Sequence, residues 1–259
     1  MSFEPSQEAH SLSDDPQELK RKIEELDREK RQIISLVSHD IKAPLNRVFA
    51  LVQLMHLDET NLTAEQRGFL DKMHLVVADG LALIRNLVDY RSLEYKKIEI
   101  IPEEINLAVI MQMVVRNFTS LAAKKKISLE MDVPQDLIIR SDHRCLIRAF
   151  ENLISNAVKF SAEGKKVTVR AKDSGKGIVV IVQDEARGFT KEDLNNLFNK
   201  FQKLSAQPTA GESATGLGLF ITKAMLENVG GTISCVTEEG IGSTFTILLP
   251  KAIPQSRLG

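Results

Sequence analysis

Tryptophan is absent from this chain, and only two tyrosines and two cysteines occur among its 259 residues. Cys145 and Cys235 lie far apart and in no metal-binding or redox spacing, so we expect two reduced, buried thiols rather than a disulfide framework. Acidic and basic residues nearly balance, and the formal net charge is −1. The composition therefore gives no electrostatic reason to expect binding to nucleic acid or to a membrane surface.

Long apolar runs are also missing. None approaches the ~18 residues that span a bilayer, and no signal peptide is recognisable, so we expect a cytoplasmic protein without a membrane span. A hydrophobic fraction of 43% is still enough for a packed core. The length allows one or two domains.

Helical patterns fill the first third of the chain. After a loose tail at residues 1–15, heptad-type apolar spacing predicts a coiled-coil helix from Pro16 to about Leu57, and a second amphipathic helix runs to about Leu93. Thr63 and Gln66 have the spacing of a capping box at the start of the second helix. One hairpin cannot bury both apolar stripes well, but two form a four-helix bundle, so we expect a homodimer. The alternative is a monomer whose hairpin packs on its own C-terminal domain.

A polar pair, His39 and Asp40, lies in the middle of the first helix. An imidazole on an exposed helix face can act as a nucleophile, and a neighbouring carboxylate can hold one ring nitrogen as N–H and leave the other free. Pro44 lacks a backbone donor, so we expect it to kink the helix beside the histidine. Taken alone, the pair is equally compatible with a solvated surface of a coiled coil.

After about Tyr95 the strand-like runs come in adjacent pairs with helices between those pairs, which indicates an α+β sandwich rather than a parallel doubly wound sheet. Asn106 to Lys124 reads as a helix. Predicted strands are Ile98–Ile101, Ile127–Met131, Leu137–Arg140, Val167–Lys172, Ile178–Gln183, Thr232–Val236 and Thr244–Leu249.

One predicted helix, capped by Asp142 and ending near Phe160, carries a polar stripe. Arg148, Asn152, Asn156 and Lys159 follow each other at intervals of four, four and three, so they share a face. The Asn156 amide oxygen suits Mg²⁺, and the Lys159 ammonium suits a phosphate group. The alternative is an ordinary solvated helix surface.

Two glycine-containing segments follow. Asp184 stands at the end of a predicted strand, and Gly188 follows it in a turn; such a carboxylate can accept the exocyclic N–H of adenine. The segment Thr215-Gly216-Leu217-Gly218-Leu219 opens a helix, predicted over Phe220–Asn228, whose N-terminus can face a phosphate. The aperiodic run from Gln202 to Thr215 between them is typical of a mobile loop.

These stretches resemble, in order, the motifs of sensor histidine kinases of two-component systems. Residues 38–45 resemble the phospho-accepting box, and residues 152–161 resemble the N box. The segment around Asp184, the run Leu197–Phe201 and the segment at 215–219 resemble the first glycine box, the F box and the second glycine box. Phe198 and Phe201 alone would be explained by packing within a helix.

The resemblance implies a dimerisation and histidine phosphotransfer domain at 16–95 and an ATP-binding catalytic domain at 96–252, with a tail at 253–259. The second domain would have the α+β sandwich fold shared with DNA gyrase and heat-shock chaperones. ATP and Mg²⁺ would be the cofactors, with Asn156 on the metal. Nucleotide-binding residues would be Asn152, Asn156, Lys159, Phe160, Asp184, Gly188, Thr215, Gly216, Leu217 and Gly218.

The implied reaction is autophosphorylation on His39, with Asp40 as its hydrogen-bond acceptor, and transfer of the phosphoryl group to the receiver domain of a separate response regulator. An upstream sensor domain or sensor partner would supply the signal. Other possibilities are a degenerate kinase that serves as a dimeric scaffold, a chaperone- or topoisomerase-like ATPase, and a serine kinase.

Three positions depart from the family pattern, and Arg187 is one of them, because it stands where a small residue or proline is usual. Ala186 stands where the family has glycine, which weakens ATP binding if that position requires a positive φ or close approach to the base. Ala43 stands where threonine or asparagine is common, four residues after the histidine. Because alanine cannot position a water through its side chain, we expect weak or absent phosphatase activity.

Overall fold

Two long helices form the N-terminal part of the protein: α1, Pro16–Leu57, and α2, Ala64–Glu94, as predicted. The predicted capping box is also present, because Thr63 N–H donates to Gln66 Oε1 at 2.9 Å and Gln66 N–H donates to Thr63 Oγ1 at 3.2 Å. The computed structural model describes residues 16–57, 62–94, 99–202, 204–209 and 215–257, except for the side chains of residues 30–39 and of Glu94.

The two helices pack against each other as a hairpin, and each also keeps apolar side chains on its outside. In the predicted stripe of α2, Leu70, Val77, Leu81 and Ile84 are buried, but Met73 and Val88 are 53% and 43% exposed. The stripe therefore divides between the hairpin interface and an uncovered surface. None of the helices described here combines the length and hydropathy required to cross a bilayer.

An α+β domain follows the hairpin. Its helices are α3, Leu107–Lys124, α4, His143–Phe160, α5, Lys191–Asn196, and α6, Gly218–Asn228, with a short 3-10 helix at Gln255–Arg257. Its strands are β1, Glu103–Asn106, β2, Ser128–Asp132, β3, Ile138–Ser141, β4, Lys166–Asp173, β5, Ile178–Asp184, β6, Thr232–Glu238, and β7, Gly242–Leu249.

Five of these strands form one mixed sheet in the order β2-β4-β5-β7-β6, in which only β2 and β4 run parallel. Helices α3, α4 and α6 contact one another or the sheet and close the core, whose centre includes the fully buried Phe150. Val180 and Val182 of β5 are fully buried in the same core, as expected for alternating positions on a strand that packs against helices. The predicted α+β architecture is confirmed.

Two boundaries differ from the prediction. The strand predicted at 98–101 is wrong: Ile98 lies outside the described residues, and β1 begins only at Glu103, paired with β3. The Ile101 N–H donates to Asp142 Oδ2 at 2.9 Å, and Pro102 has no N–H, so neither residue offers a donor to a β-ladder. At the other end, Ile253 of the predicted tail is buried, and its N–H donates to Arg140 O at 3.1 Å.

Candidate functional site

Helix α4 has one buried face and one half-exposed polar face. Asp142 caps its N-terminus by accepting the Arg144 and Cys145 N–H groups at 2.9 and 3.3 Å. Leu146, Phe150, Leu153 and Ala157 point into the core and are at most 3% exposed. Arg148, Asn152, Asn156 and Lys159 are all half-buried on the other side, as their spacing predicts.

Asn152 joins α4 to the start of α6. Its Nδ2 donates to Thr222 Oγ1 at 2.6 Å, and the Thr222 hydroxyl donates to the Gly218 carbonyl at 3.1 Å. A Cβ on Gly218 would lie 2.5 Å from Asn152 Oδ1, so a larger residue there would displace the Asn152 side chain. The polar stripe of α4 therefore faces the N-terminus of α6.

The segment before α6 is shaped by Thr215 and Gly216. The Thr215 hydroxyl accepts the Leu217 N–H at 3.1 Å, and Gly216 has a φ of +66°, where a Cβ would lie 2.6 Å from Gln202 O. Leu217 is the N-cap of α6 and makes no side-chain capping bond. The first N–H groups of α6 thus receive no N-cap side chain, which is the arrangement that favours an anion at a helix N-terminus.

Asn156 and Lys159 lie one turn apart on the same stripe. Within the described part of the chain the Asn156 amide makes no hydrogen bond, although the residue is half-buried. Its carbonyl oxygen is therefore available as a hard-cation ligand, and the site fits Mg²⁺ in this respect. Lys159 Nζ lies 3.3 Å from Asp79 Oδ1 of α2.

The last turn of α4 is held by two side chains from outside the helix. Lys125 Nζ donates to the carbonyls of Val158 and Lys159 at 2.8 and 2.9 Å, and the Thr209 hydroxyl donates to the Lys159 and Ser161 carbonyls at 3.1 and 2.9 Å. These bonds satisfy carbonyls that a helix end leaves without partners and fix the backbone that carries Lys159. Phe160 next to it is half-buried.

Asp184 ends β5, which packs against α4. Its Oδ1 accepts the N–H groups of Ala186 and Ser243 at 3.0 and 3.2 Å, while its Oδ2 accepts none among the described residues. Burial raises the pKa of Asp184 to about 6, and the two backbone hydrogen bonds oppose that rise. One carboxylate oxygen thus remains for a donor such as an exocyclic amine.

The turn after Asp184 requires glycine at 188 and not at 186. Gly188 has a φ of +72°, and a Cβ there would lie 2.3 Å from Glu238 O. Ala186 is buried, and it is not among the residues with a positive φ. Position 186 therefore does not require a positive φ, and its backbone conformation carries no penalty for the alanine side chain.

Three residues of α2 that the sequence did not single out also belong to this region. Asp89 Oδ2 lies 2.5 Å from Arg148 Nε, and the Asn86 side chain accepts from Arg148 and donates to Thr215 Oγ1 at 3.1 Å. Asp79 pairs with Lys159. Their signal in the sequence is the 7- and 3-residue spacing of acid or amide groups along one predicted helix.

His39 lies within α1, and its side chain falls outside the described residues; Asp40 is exposed. Leu45 of α1 packs against Gly80 of α2, because a Cβ on Gly80 would lie 3.3 Å from Leu45 Cδ1. Gly80 directly follows Asp79 in the sequence. At 1.5 Å per residue, His39 and Leu45 are about 9 Å apart along the helix axis.

The F-box residues do not pack within a helix, because α5 ends at Asn196. Phe201 instead has a φ of +57°, and its ring contacts the edge of Tyr90 of α2 with 5.5 Å between centroids. The predicted mobile loop is described only at Gln202, 204–209 and Thr215, and no helix or strand occurs at those residues. The rest of that prediction lies outside the described residues.

Comparison with known families places the second domain. Residues 141–253 match the family described as histidine kinase-, DNA gyrase B- and HSP90-like ATPase. The chain is 29% identical over 235 residues to the sensor protein EvgS of Escherichia coli K12, and the aligned region covers 87% of this chain and 19% of EvgS. It is 30% identical over 235 residues to the aerobic respiration control sensor protein ArcB of the same strain, covering 88% of this chain and 29% of ArcB.

Solved structures show the same fold. Full-length ShkA in complex with AMPPNP gives a TM-score of 0.62 at 24% identity, over 86% of this chain and 46% of ShkA. The Acinetobacter baumannii histidine kinase AdeS gives a TM-score of 0.58 at 22% identity, over 82% of this chain and 98% of that one. The chain spans less than a third of the length of EvgS and of ArcB.

Proposed function

Because this chain belongs to the sensor histidine kinases, we propose that it binds ATP·Mg²⁺ and phosphorylates itself on His39. The observation that supports this proposal most strongly is the polar stripe of α4, which faces the N-terminus of α6 across the contact between Asn152 and Gly218. An amide without a hydrogen bond, an ammonium group and a helix N-terminus without an N-cap side chain meet there. That combination suits a triphosphate with its metal.

Each site residue has a proposed role. Asp184 accepts the exocyclic N–H of adenine through its available oxygen, and Gly188 gives the turn its shape. Lys159 and the backbone from Thr215 to Gly218 bind the phosphates, while Asn152 holds α4 against α6. Asn156 would hold Mg²⁺, and Phe160 lines the site. When bound, the metal neutralises phosphate charge, which is the main requirement of phosphoryl transfer besides positioning.

His39 acts as the nucleophile. One ring nitrogen attacks the γ-phosphorus, a P–N bond forms, and the bond to the bridging oxygen breaks so that ADP leaves with that electron pair. Asp40 accepts a hydrogen bond from the other ring nitrogen and raises the nucleophilicity of the first.

The phosphoryl group then passes to an aspartate of a response-regulator receiver domain. The hairpins of two chains form a four-helix bundle, and a sensor domain or sensor partner acts on α1. Ala43 is exposed and has no hydrogen-bonding side chain, so dephosphorylation of the regulator is weak. Rapid, bundle-dependent loss of phosphate from a phosphorylated regulator would contradict that last point.

The test is incubation of the chain with γ-labelled ATP and Mg²⁺ beside the His39→Gln variant. We expect acid-labile, base-stable label on the parent alone. Label on both proteins would mean that a residue other than His39 accepts the phosphoryl group. Label on neither, with nucleotide binding intact, would favour the dimeric scaffold, and Ala186→Gly would then show whether the alanine is responsible.

A further inference from the structure

The contact between α2 and the ATPase domain is polar at its centre. Lys159 and Asp79 side chains are 17% and 19% exposed, and Arg148 and Asp89 side chains are 19% and 24% exposed. A third ion pair between the same parts of the protein, Lys124 with Asp71, has side chains that are 62% and 54% exposed. The two inner pairs are thus largely withdrawn from water. Charges in such a place interact more strongly than charges at an exposed surface.

The side chains of α2 in this contact have partners on two sides of the proposed nucleotide site, the α4 stripe and the segment that opens α6. We call these two sides the walls of the site. Lys159 and Arg148 belong to the α4 stripe, and Thr215 belongs to the segment that opens α6. Asn86 connects the two walls, because it accepts from Arg148 and donates to Thr215. We call Asp79, Asn86 and Asp89 the latch stripe.

Aromatic contacts continue this interface. The Tyr90 ring lies 5.5 Å from that of Phe201 and 6.0 Å from that of Phe220 in α6, measured between centroids. Lys200 Nζ lies 5.0 Å from the Tyr90 centroid. The α2 helix therefore touches the α4 side, the α6 side and the segment around Phe201 at the same time.

A nucleotide would present the same charge as the latch stripe. Phosphate oxygens and the Asp79 carboxylate are both ligands for the Lys159 ammonium, and like charges that share one cation repel each other. Asn86 likewise occupies the Thr215 hydroxyl next to the proposed phosphate position. A ligand that binds only one of two arrangements shifts the population toward that arrangement.

We propose that the latch stripe of α2 closes the phosphate end of the nucleotide site, so that nucleotide binding and docking of α2 on α4 exclude each other. This inference rests on the proposed nucleotide site and adds its regulation: the helix that follows the phospho-accepting helix competes with nucleotide phosphates for Lys159 and Thr215. A signal that moves α2 within the hairpin then changes the affinity for nucleotide.

The test measures the dissociation constant of AMPPNP·Mg²⁺ by calorimetry with the full chain and three variants. Asp79→Asn removes the charge beside Lys159, and Asn86→Ala removes the two bridging hydrogen bonds without a change of charge. Asp71→Asn is the matched control, because it breaks the exposed ion pair between α2 and α3 away from the site. Circular dichroism and thermal unfolding check that each variant is folded.

We expect Asp79→Asn and Asn86→Ala each to tighten binding by about five- to tenfold, in the range of usual coupling between sites. The control stays within about twofold, since an exposed pair contributes little. Tighter binding by Asp79→Asn alone would reject the latch in favour of a simple charge effect. If Asn86→Ala does not fold, Asp89→Asn replaces it, because Asp89 pairs with Arg148 and not with Lys159.

Two further outcomes separate this inference from the proposed function. Nucleotide binding by the parent with no change in the variants overturns the latch and leaves the kinase proposal in place. No binding by the parent and clear binding by the variants supports the latch most directly. No binding by any of the four proteins overturns the nucleotide site and the latch together.

Discussion

Asp184 meets two requirements that oppose each other. Its carboxylate must be ionised to accept a hydrogen bond well from adenine in the proposed site, yet the residue is 7% exposed, and burial disfavours the charge. The folded-state pKa of about 6 is above the ordinary value of 3.8. Between those two values the folded protein binds more protons than the unfolded chain, so the free energy of unfolding falls as the pH rises.

Asp184→Asn should therefore stabilise the protein at neutral and higher pH. We expect the variant to unfold with a free energy higher than that of the parent by up to about 3 kcal/mol near pH 8, and the difference to disappear toward pH 4. Thermal unfolding of both proteins without nucleotide, over that pH range, checks this. Asparagine keeps an oxygen for the Ala186 and Ser243 N–H groups, so the turn is retained.

The same substitution separates stability from function. Adenine nucleotide affinity should fall by at least tenfold in Asp184→Asn, and in the parent it should decline below about pH 6 as the carboxyl group protonates. A variant that gains no stability with rising pH relative to the parent would mean that the carboxylate is hydrated rather than desolvated.

At the scale of elements, α1 is continuous through a proline. Pro44 lies inside a helix of 42 residues, where it cannot donate a hydrogen bond to the carbonyl four residues earlier, that of Asp40. The helix therefore lacks one backbone hydrogen bond, at the Asp40 carbonyl next to the proposed phospho-acceptor. The kink expected from Pro44 stays a prediction, whereas the continuity of the helix is observed.

Pro44→Ala should restore that hydrogen bond. We expect the free energy of unfolding to rise by about 3 kcal/mol, measured by urea denaturation, because proline is that much less favourable than alanine inside a helix. Lys42→Ala, an exposed position of the same turn, is the control and should change stability little. Equal or lower stability in Pro44→Ala would show that the hairpin needs the shape that proline gives it.

For the whole molecule, the hairpin leaves apolar side chains uncovered. Leu51, Leu54 and Val76 are 60%, 61% and 69% exposed on α1 and α2. A solvated helix pair does not normally keep so many large apolar groups in water, and a second hairpin would cover them. The four-helix bundle and the homodimer are proposed on this ground.

Val76→Glu should convert the dimer into a monomer, since a buried unpaired charge opposes the bundle. Light scattering coupled to gel filtration measures the mass of the particle. Val236→Glu is a matched control: Val236 is 73% exposed on β6 of the ATPase domain, outside the hairpin, and its variant should remain dimeric. A parent that is monomeric at micromolar concentration would contradict the bundle directly.

Most elements could be predicted because their signals are local. Caps such as Asp142 and the capping box at Thr63 mark helix starts by side-chain chemistry that depends on a few neighbours. The strand at 98–101 was predicted wrongly because its apolar residues have strand propensity, whereas its backbone donor is taken by Asp142, which is 41 residues away from Ile101. Strand propensity is a local property and does not include the loss of a backbone donor to a residue that is distant in the sequence.

The sequence by itself determined the helical hairpin, the α+β sheet and the shared face of Arg148, Asn152, Asn156 and Lys159, because periodicity and spacing are properties of the chain alone. Only the tertiary structure decided that Gly218 lies against Asn152, that Ala186 needs no glycine conformation, and that Asp79 and Asn86 of α2 contact Lys159 and Thr215. Those facts depend on how helices distant in sequence are packed, and no local pattern encodes that packing.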